Sequence, residues 1–202
     1  MLKKSKKAKK ASEGLGKMFS WVPLTPDTMT ILSIVLALFG FLLSICGSIA
    51  FSVSALILFI MAFFLDAIDG AVARAKNLAT KHGAFLDGIS DRLVEFFILL
   101  SLYFIFLGRW EFELPIISIL FFGTCMTSFV KAYAEHTGVL TNEEALKLPG
   151  ILERAERSFL LLLSYALAVF SETQIVFYLL CATSAFTFIT FVQRFWAVHS
   201  KG

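Results

Sequence analysis

Six long apolar stretches dominate the chain, near residues 28–48, 52–74, 84–107, 114–136, 153–170 and 173–197. Each has about the ~20 residues an α-helix needs to cross a hydrocarbon core. The polar breaks between them are short at Gly47-Ser48 and at Ser171-Glu172, which predicts tight hairpins there. A longer polar break, Thr137 to Gly150, predicts a loop with a short helix near Asn142 to Leu148. Pro23 and Pro26 interrupt the chain ahead of the first stretch. Just before them, Leu15 to Leu24 carries Met18, Phe19, Trp21 and Val22, a pattern suited to a helix lying in the membrane interface. The pattern therefore predicts an all-α, polytopic membrane protein. Its parts are a basic arm with a juxtamembrane segment over 1–25 and a six-helix membrane domain over 26–202.

Composition agrees with that picture. The chain is 58% hydrophobic, only 16% charged, and contains 23 phenylalanines. Its mean hydropathy of +0.81 lies far above that of a soluble domain. Cys46, Cys125 and Cys181 all sit in apolar runs, with spacing that suggests neither a disulfide framework nor a metal site. The basic start lacks the short apolar core and small-residue site of a cleavable signal peptide, so none is expected.

Charge then orients the chain. The arm holds Lys3, Lys4, Lys6, Lys7, Lys9, Lys10 and Lys17. With no basic domain behind it, this cluster suits an anionic membrane surface, not nucleic acid. Arg74, Lys76, Lys81 and Arg92 flank the second connection, Lys131, Lys147, Arg154 and Arg157 the fourth, and Arg194 and Lys201 the C-terminal end. Only Arg109 among the 18 Lys and Arg falls on the other side. The positive-inside rule then places both termini in the cytoplasm, at a cell membrane crossed several times.

Against this background four acids stand out. They lie in Asp66-Ala67-Ile68-Asp69-Gly70-Ala71-Val72-Ala73-Arg74 and in Gly83-Ala84-Phe85-Leu86-Asp87-Gly88-Ile89-Ser90-Asp91. An ionised carboxylate at a bilayer centre costs about 2.5–3.5 kcal/mol on insertion scales, so four of them call for compensation. Asp66 and Asp69 are three apart and Asp87 and Asp91 four apart, so each pair shares a helix face, at adjoining cytoplasmic ends. An all-oxygen donor set without His or Cys suits Mg²⁺ or Mn²⁺. The small residues Gly70, Ala73, Gly83 and Gly88 leave room for close backbone approach, and Arg74 offers a fork of donors to a phosphate. Metal, carboxylates and arginine together point to phosphoryl or phosphatidyl transfer. A cation transporter is the reading from another class, but these acids gather at helix ends on one side and not along a mid-membrane path. A plain salt-bridged helix pair would use Arg74, Lys76, Lys81 and Arg92 as the neutralising cations.

The pattern D-x2-D-G-x2-A-R-x8-G-x3-D-x3-D is met at Asp66, Asp69, Gly70, Ala73, Arg74, Gly83, Asp87 and Asp91. In this the chain resembles the CDP-alcohol phosphotransferase family. The resemblance implies a homodimeric six-helix membrane enzyme that displaces CMP from a CDP-linked lipid donor with an alcohol acceptor. It implies that Asp66, Asp69, Asp87 and Asp91 surround one or two divalent ions and that Asp91 is the general base. It further implies that Asp69, Gly70, Ala73, Arg74 and Gly83 frame the cytidine nucleotide. A Pro-Asn-x-x-Thr element often precedes the family's first span. Here Pro26-Asp27-Thr28-Met29-Thr30 departs from it at Asp27 and keeps Thr30 as a nucleotide-side candidate.

The acceptor is read from the second half. Ser128, Lys131, Arg154, Arg157 and Arg194 all fall near the cytoplasmic ends of spans, more cation than the donor diphosphate needs. Ser128 to Glu135, Glu153 to Arg157 and Gln193-Arg194 are similar to stretches of the phosphatidylinositol-phosphate synthases, although Ala155 stands where those enzymes usually have proline. That resemblance implies that Ser128, Lys131, Arg154 and Arg194 hold the phosphate of inositol 1-phosphate, with Arg157 as a further contact or a brace through Glu153 or another acid. The donor would be a CDP-linked diacylglycerol or archaeol. Glycerol 3-phosphate as acceptor, or CDP-inositol as donor, are the rivals within the same chemistry. His82, in the loop beside the acids, and Glu95, one turn beyond Asp91, are minor candidates for ligand contact and for tuning Asp91.

Overall fold

A computed structural model of the chain describes residues 18, 24–76 and 78–201, and the statements below concern these residues. They form helices and connecting turns. The interfacial helix expected over Leu15 to Leu24 lies, apart from Met18 and Leu24, outside the described residues.

Helix α1 runs Pro26–Ser44, α2 Ile49–Ala75 and α3 Lys81–Ile105. Local chemistry sets their starts. Thr25 is extended and its side chain accepts from Thr28 N, Pro26 takes the first helical position, and Asp27 sits in the first turn where the helix dipole favours an anion. Thr80 plays the same part for α3, its hydroxyl accepting from Gly83 N at 2.9 Å. The α1–α2 hairpin turns through Gly47, whose φ of 73° a side chain would resist.

The later helices are α4, Trp110–His136, then the single turn α5, Asn142–Ala145, then α6, Arg154–Val169, and α7, Thr173–His199. Helix α4 is not uniform. Pro115 removes one backbone donor, and the next two turns, Ile119–Met126, wind as a π-helix before regular geometry returns at Thr127. The polar break is held at both ends. Thr141 and Glu144 cap α5 reciprocally, and Glu144 Oε1 accepts from Lys201 Nζ at 2.6 Å.

The helices sit within a residue or so to four residues of their expected bounds, yet the six do not look alike to a bilayer. Four, namely α1, α2, α4 and α7, are long and apolar enough to cross a membrane. Helix α6 has 16 residues, short of a span by that measure. Helix α3 carries Asp87, Asp91, Arg92 and Glu95 within its first fifteen residues, and these dilute its hydropathy. The surface is what lipid requires: Ile31, Phe39, Leu42, Ile57, Ile60 and Phe64 all point outward.

The chain divides into two compact units, up to Phe97 and from Ile98 onward. In the first, small residues bring α1 and α2 together. A Cβ at Gly40 would stand 2.9 Å from the Phe59 ring, and Phe59, Ala55 and Ala62 are fully buried. Ser33 and Ser90, both fully buried, share a hydrogen bond of 2.8 Å that ties α1 to α3. In the second unit, Val176, Leu180, Thr183, Thr187 and Thr190 form the buried seam of α7 at spacings of four and three. Its threonines return their hydroxyls to the helix backbone, as Thr187 does to Ser184 O and Thr190 to Phe186 O.

Candidate active site and metal centre

The site in the first unit is built on the last turns of α2 and the first turns of α3. Asp66, Asp69 and Asp87 each offer a carboxylate oxygen, and the three lie within 4.8 Å of one another. Asp66 and Asp69 are buried and Asp87 is partly so. Three carboxylates this close, two of them away from water, repel strongly unless a cation joins them. An octahedral Mg²⁺ with bonds of 2.0–2.1 Å keeps its oxygens roughly 3–4 Å apart, so slight closure of this group suits such an ion. The residues present therefore fit a hard divalent cation.

Asp69 is held from two sides. Thr30 Oγ1 donates to its Oδ2 at 2.6 Å, and Gly70 N donates to its Oδ1. Thr30 is itself buried on α1, so the first helix reaches into the acidic centre through one hydroxyl. Sequence reasoning placed Thr30 near the nucleotide and missed this grip on Asp69; no spacing rule links residues 39 positions apart. Asp91 stands outside the group of three. It is buried, one turn beyond Asp87, and its Oδ2 accepts from Arg92 Nη1 at 3.1 Å. Arg92 also donates to Gly88 O at 2.7 Å, which fixes the guanidinium beside the acid. Glu95 is buried too, one turn further on.

Next to the acids lies a cavity of about 140 Å³. Thr30, Asp69, Gly70, Ala73, Arg74 and Gly83, the six nucleotide-side residues of the motif reading, all line it, with Asp87 and Asp27. Gly83 is a close-approach position, since a Cβ there would meet Asp27 Oδ1 at 3.1 Å and Thr80 Oγ1 at 3.2 Å. At Gly70 a Cβ would come within 3.5 Å of Arg74 Nη1, so the arginine fork lies over the bare backbone of that turn. His82 is exposed and is not among the cavity's lining residues.

The cations of the second half are gathered by Arg194. Its Nη1 donates to Thr127 O at 3.0 Å, its Nε to Pro149 O at 3.2 Å, and its Nη2 to Glu153 Oε2 at 3.2 Å. Arg194 thus contacts the main chain of Thr127, the neighbour of Ser128, and the side chain of Glu153, the neighbour of Arg154, and Lys131 lies one turn after Ser128. Ser128, Lys131 and Arg154 are half-buried. Arg157 is buried, and its Cδ would lie 3.1 Å from a Cβ at Gly123, inside the π-helical stretch of α4. Glu153 is braced by Arg194. The π-helix is a feature for which Pro115 was the available signal.

Converging buried carboxylates beside an arginine-lined cavity, on helices built for lipid, are the features of a membrane-embedded phosphotransferase. Residues 23–196 match the CDP-alcohol phosphatidyltransferase family. The chain is 33% identical over 199 residues to the archaetidylinositol phosphate synthase of Pyrococcus horikoshii, covering 96% of this chain and 94% of that protein. It is 28% identical to the phosphatidylinositol phosphate synthase of Mycobacterium marinum, over 89% of this chain and 76% of that one. Among solved structures, the phosphatidylinositol phosphate synthase of Mycobacterium tuberculosis with CDP-DAG bound superposes with a TM-score of 0.73 at 24% identity, covering 93% and 92% of the two chains. The same enzyme with manganese and citrate gives 0.75, again at 24% identity, over 93% and 88%. The chain belongs to the CDP-alcohol phosphatidyltransferase family, and it is an enzyme of CDP-alcohol phosphotransfer in phospholipid synthesis.

Proposed function

We propose that this enzyme transfers a phosphatidyl-type group, diacylglycerol or archaeol phosphate, from a CDP-linked lipid to the hydroxyl of inositol 1-phosphate, releasing CMP. The observation that carries the donor half is a cavity lined by Thr30, Asp69, Gly70, Ala73, Arg74 and Gly83 beside the acidic group. The acceptor half is supported by Arg194, which bonds Thr127 and Glu153, the neighbours of Ser128 and Arg154, and by the names of the relatives at 33% and 28% identity.

In this reading Asp66, Asp69, Asp87 and Asp91 hold Mg²⁺ or Mn²⁺. A bound cation supplies charge neutralisation at the donor diphosphate. Gly70, Ala73 and Gly83 let the nucleotide approach the backbone, and Arg74 holds its phosphate by a fork of donors. Asp91 takes the proton of the acceptor hydroxyl while Arg92 fixes the orientation of its carboxylate. The hydroxyl oxygen then bonds to the lipid-side phosphorus, and the bridging bond to CMP breaks with its electron pair on the departing phosphate. Ser128, Lys131, Arg154 and Arg194 bind the acceptor's own phosphate, with Arg157 beside them. The chain works as a homodimer in a cell membrane, with six spans forming a domain over 26–202, and with the basic arm, both termini and the acids on the cytoplasmic side.

The test supplies purified enzyme with CDP-diacylglycerol or CDP-archaeol, Mg²⁺ and either inositol 1-phosphate or glycerol 3-phosphate, and identifies the lipid product. A phosphoinositol lipid formed at the higher kcat/KM supports the reading. Preference for glycerol 3-phosphate would overturn the acceptor assignment and leave the donor half standing.

A further inference from the structure

We infer that Glu153 is a specificity-determining residue of the acceptor site, a carboxylate that an incoming phosphate must displace from Arg194. The inference rests on the proposed role of Arg194 in holding an acceptor phosphate. Two bonds to main-chain carbonyls, Thr127 O and Pro149 O, fix the plane of the Arg194 guanidinium, and the side chain as a whole is only 13% exposed. Its third bond is of another kind. Nη2 meets Glu153 Oε2 at 3.2 Å, and the Glu153 side chain is 57% exposed. One partner is thus rigid and shielded, the other a helix-capping carboxylate that faces solvent. Glu153 N donates to Glu156 Oε2 at 3.0 Å, and the Glu153 side chain accepts from the Glu156 main chain in return, which pins the start of α6.

Gly150 makes the contact possible. A Cβ there would meet Glu153 Oε1 at 3.1 Å, Arg194 Nη2 at 3.4 Å and Thr190 Cγ2 at 3.0 Å. The loop is drawn in because this position carries no side chain.

A phosphomonoester and a carboxylate compete for the same fork of donors, and the phosphate carries more charge and more acceptor oxygens. Glu153 therefore acts as a threshold. A dianionic phosphate displaces it, whereas an acceptor carrying only hydroxyls or one carboxylate gains little over the contact it would replace. The pair is half in solvent, so its removal shifts acceptor affinity only about two- to fivefold.

The experiment measures steady-state CMP release by the wild type, Glu153→Gln and Glu153→Asp with saturating CDP-lipid and Mg²⁺. The acceptor is inositol 1-phosphate or glycerol 3-phosphate, and inorganic phosphate serves as a competitive inhibitor. The expected result for Glu153→Gln is a two- to fivefold lower acceptor KM and a matching fall in the phosphate inhibition constant, with kcat and donor KM unchanged. Glu153→Asp, one methylene short of the contact, moves the same way, and equal melting temperatures show that the start of α6 is intact. An acceptor KM that stays put or rises in both variants, with turnover and donor KM retained, would overturn the inference while leaving the proposed function in place. No CMP from the wild type with either phosphorylated acceptor would overturn both.

Discussion

At the scale of single residues, the chemistry depends on how the acids are held. Thr30 on α1 donates to the acidic group through a 2.6 Å bond to Asp69. Thr30→Val keeps the shape and removes the donor. Partners of this kind tune a metal ligand by about 10–100-fold, so the Mg²⁺ concentration for half-maximal activity should rise by that order. Titrating activity against Mg²⁺ checks it, and an unchanged midpoint would mean that Thr30 serves only packing. Asp91 differs from the other three acids in standing apart from their close group and in accepting from Arg92. Asp91→Asn should lower kcat by about 10²–10⁴-fold, the usual contribution of a general base, with CDP binding retained by calorimetry. Wild-type turnover in that variant would remove Asp91 from the base role.

At the scale of elements, close helix approach and a tethered loop are the two features that mutation can probe. The α1–α2 contact has no space at Gly40, where a Cβ would stand 2.9 Å from a fully buried phenyl ring. Overpacking of this sort costs about 1–3 kcal/mol, so Gly40→Ala should lower the melting temperature in detergent, and pairing it with Phe59→Leu should recover part of the loss. The α5 turn is tied to the end of α7 by electrostatics. Lys201, hydrogen-bonded to Glu144, is the main cause that holds that carboxyl down to about 2, followed by the Thr141 main-chain and hydroxyl donors. A depressed carboxyl contributes above its ordinary value near 4.5 and loses the contribution as pH falls toward 2. The tether should therefore persist unchanged from neutral pH to about 5 and weaken below that, as an NMR titration of the Glu144 carboxyl would show. Apolar periodicity located these helices well, because burial in lipid leaves a strong signal. It could not show that Ile119–Met126 winds as a π-helix, since the apolar pattern there is the same for either helix.

At the scale of the whole molecule, the two units were legible to different depths. The first carries its chemistry in one short run, Asp66 to Asp91, where helical spacing alone predicts shared faces. The structure brings three of those acids within 4.8 Å and lines one cavity with the glycines, alanine and arginine between them. What the run could not reveal is Thr30, which acts across a tertiary contact. The second unit disperses its cations over three helices, and only folding shows that Arg194 ties together the main chain at Thr127 and Pro149 and the side chain of Glu153. The sequence pointed to six spans, but two of the helices depart from a simple span for physical reasons. Helix α3 trades hydropathy for the acids and arginine it must carry, and α6 is short.

The central claim is that the acidic group and its adjoining cavity drive metal-dependent displacement of CMP from a CDP-linked lipid. The most direct measurement is CMP release by purified protein from CDP-diacylglycerol or CDP-archaeol with inositol 1-phosphate. It is made with Mg²⁺ or Mn²⁺, after chelation, and in Asp69→Asn. The account predicts CMP and phosphoinositol lipid in equal amounts, abolished by chelation, restored by added cation, and lost in the variant. Undiminished CMP release after chelation, or no release with either CDP-lipid while the protein remains folded, would contradict it.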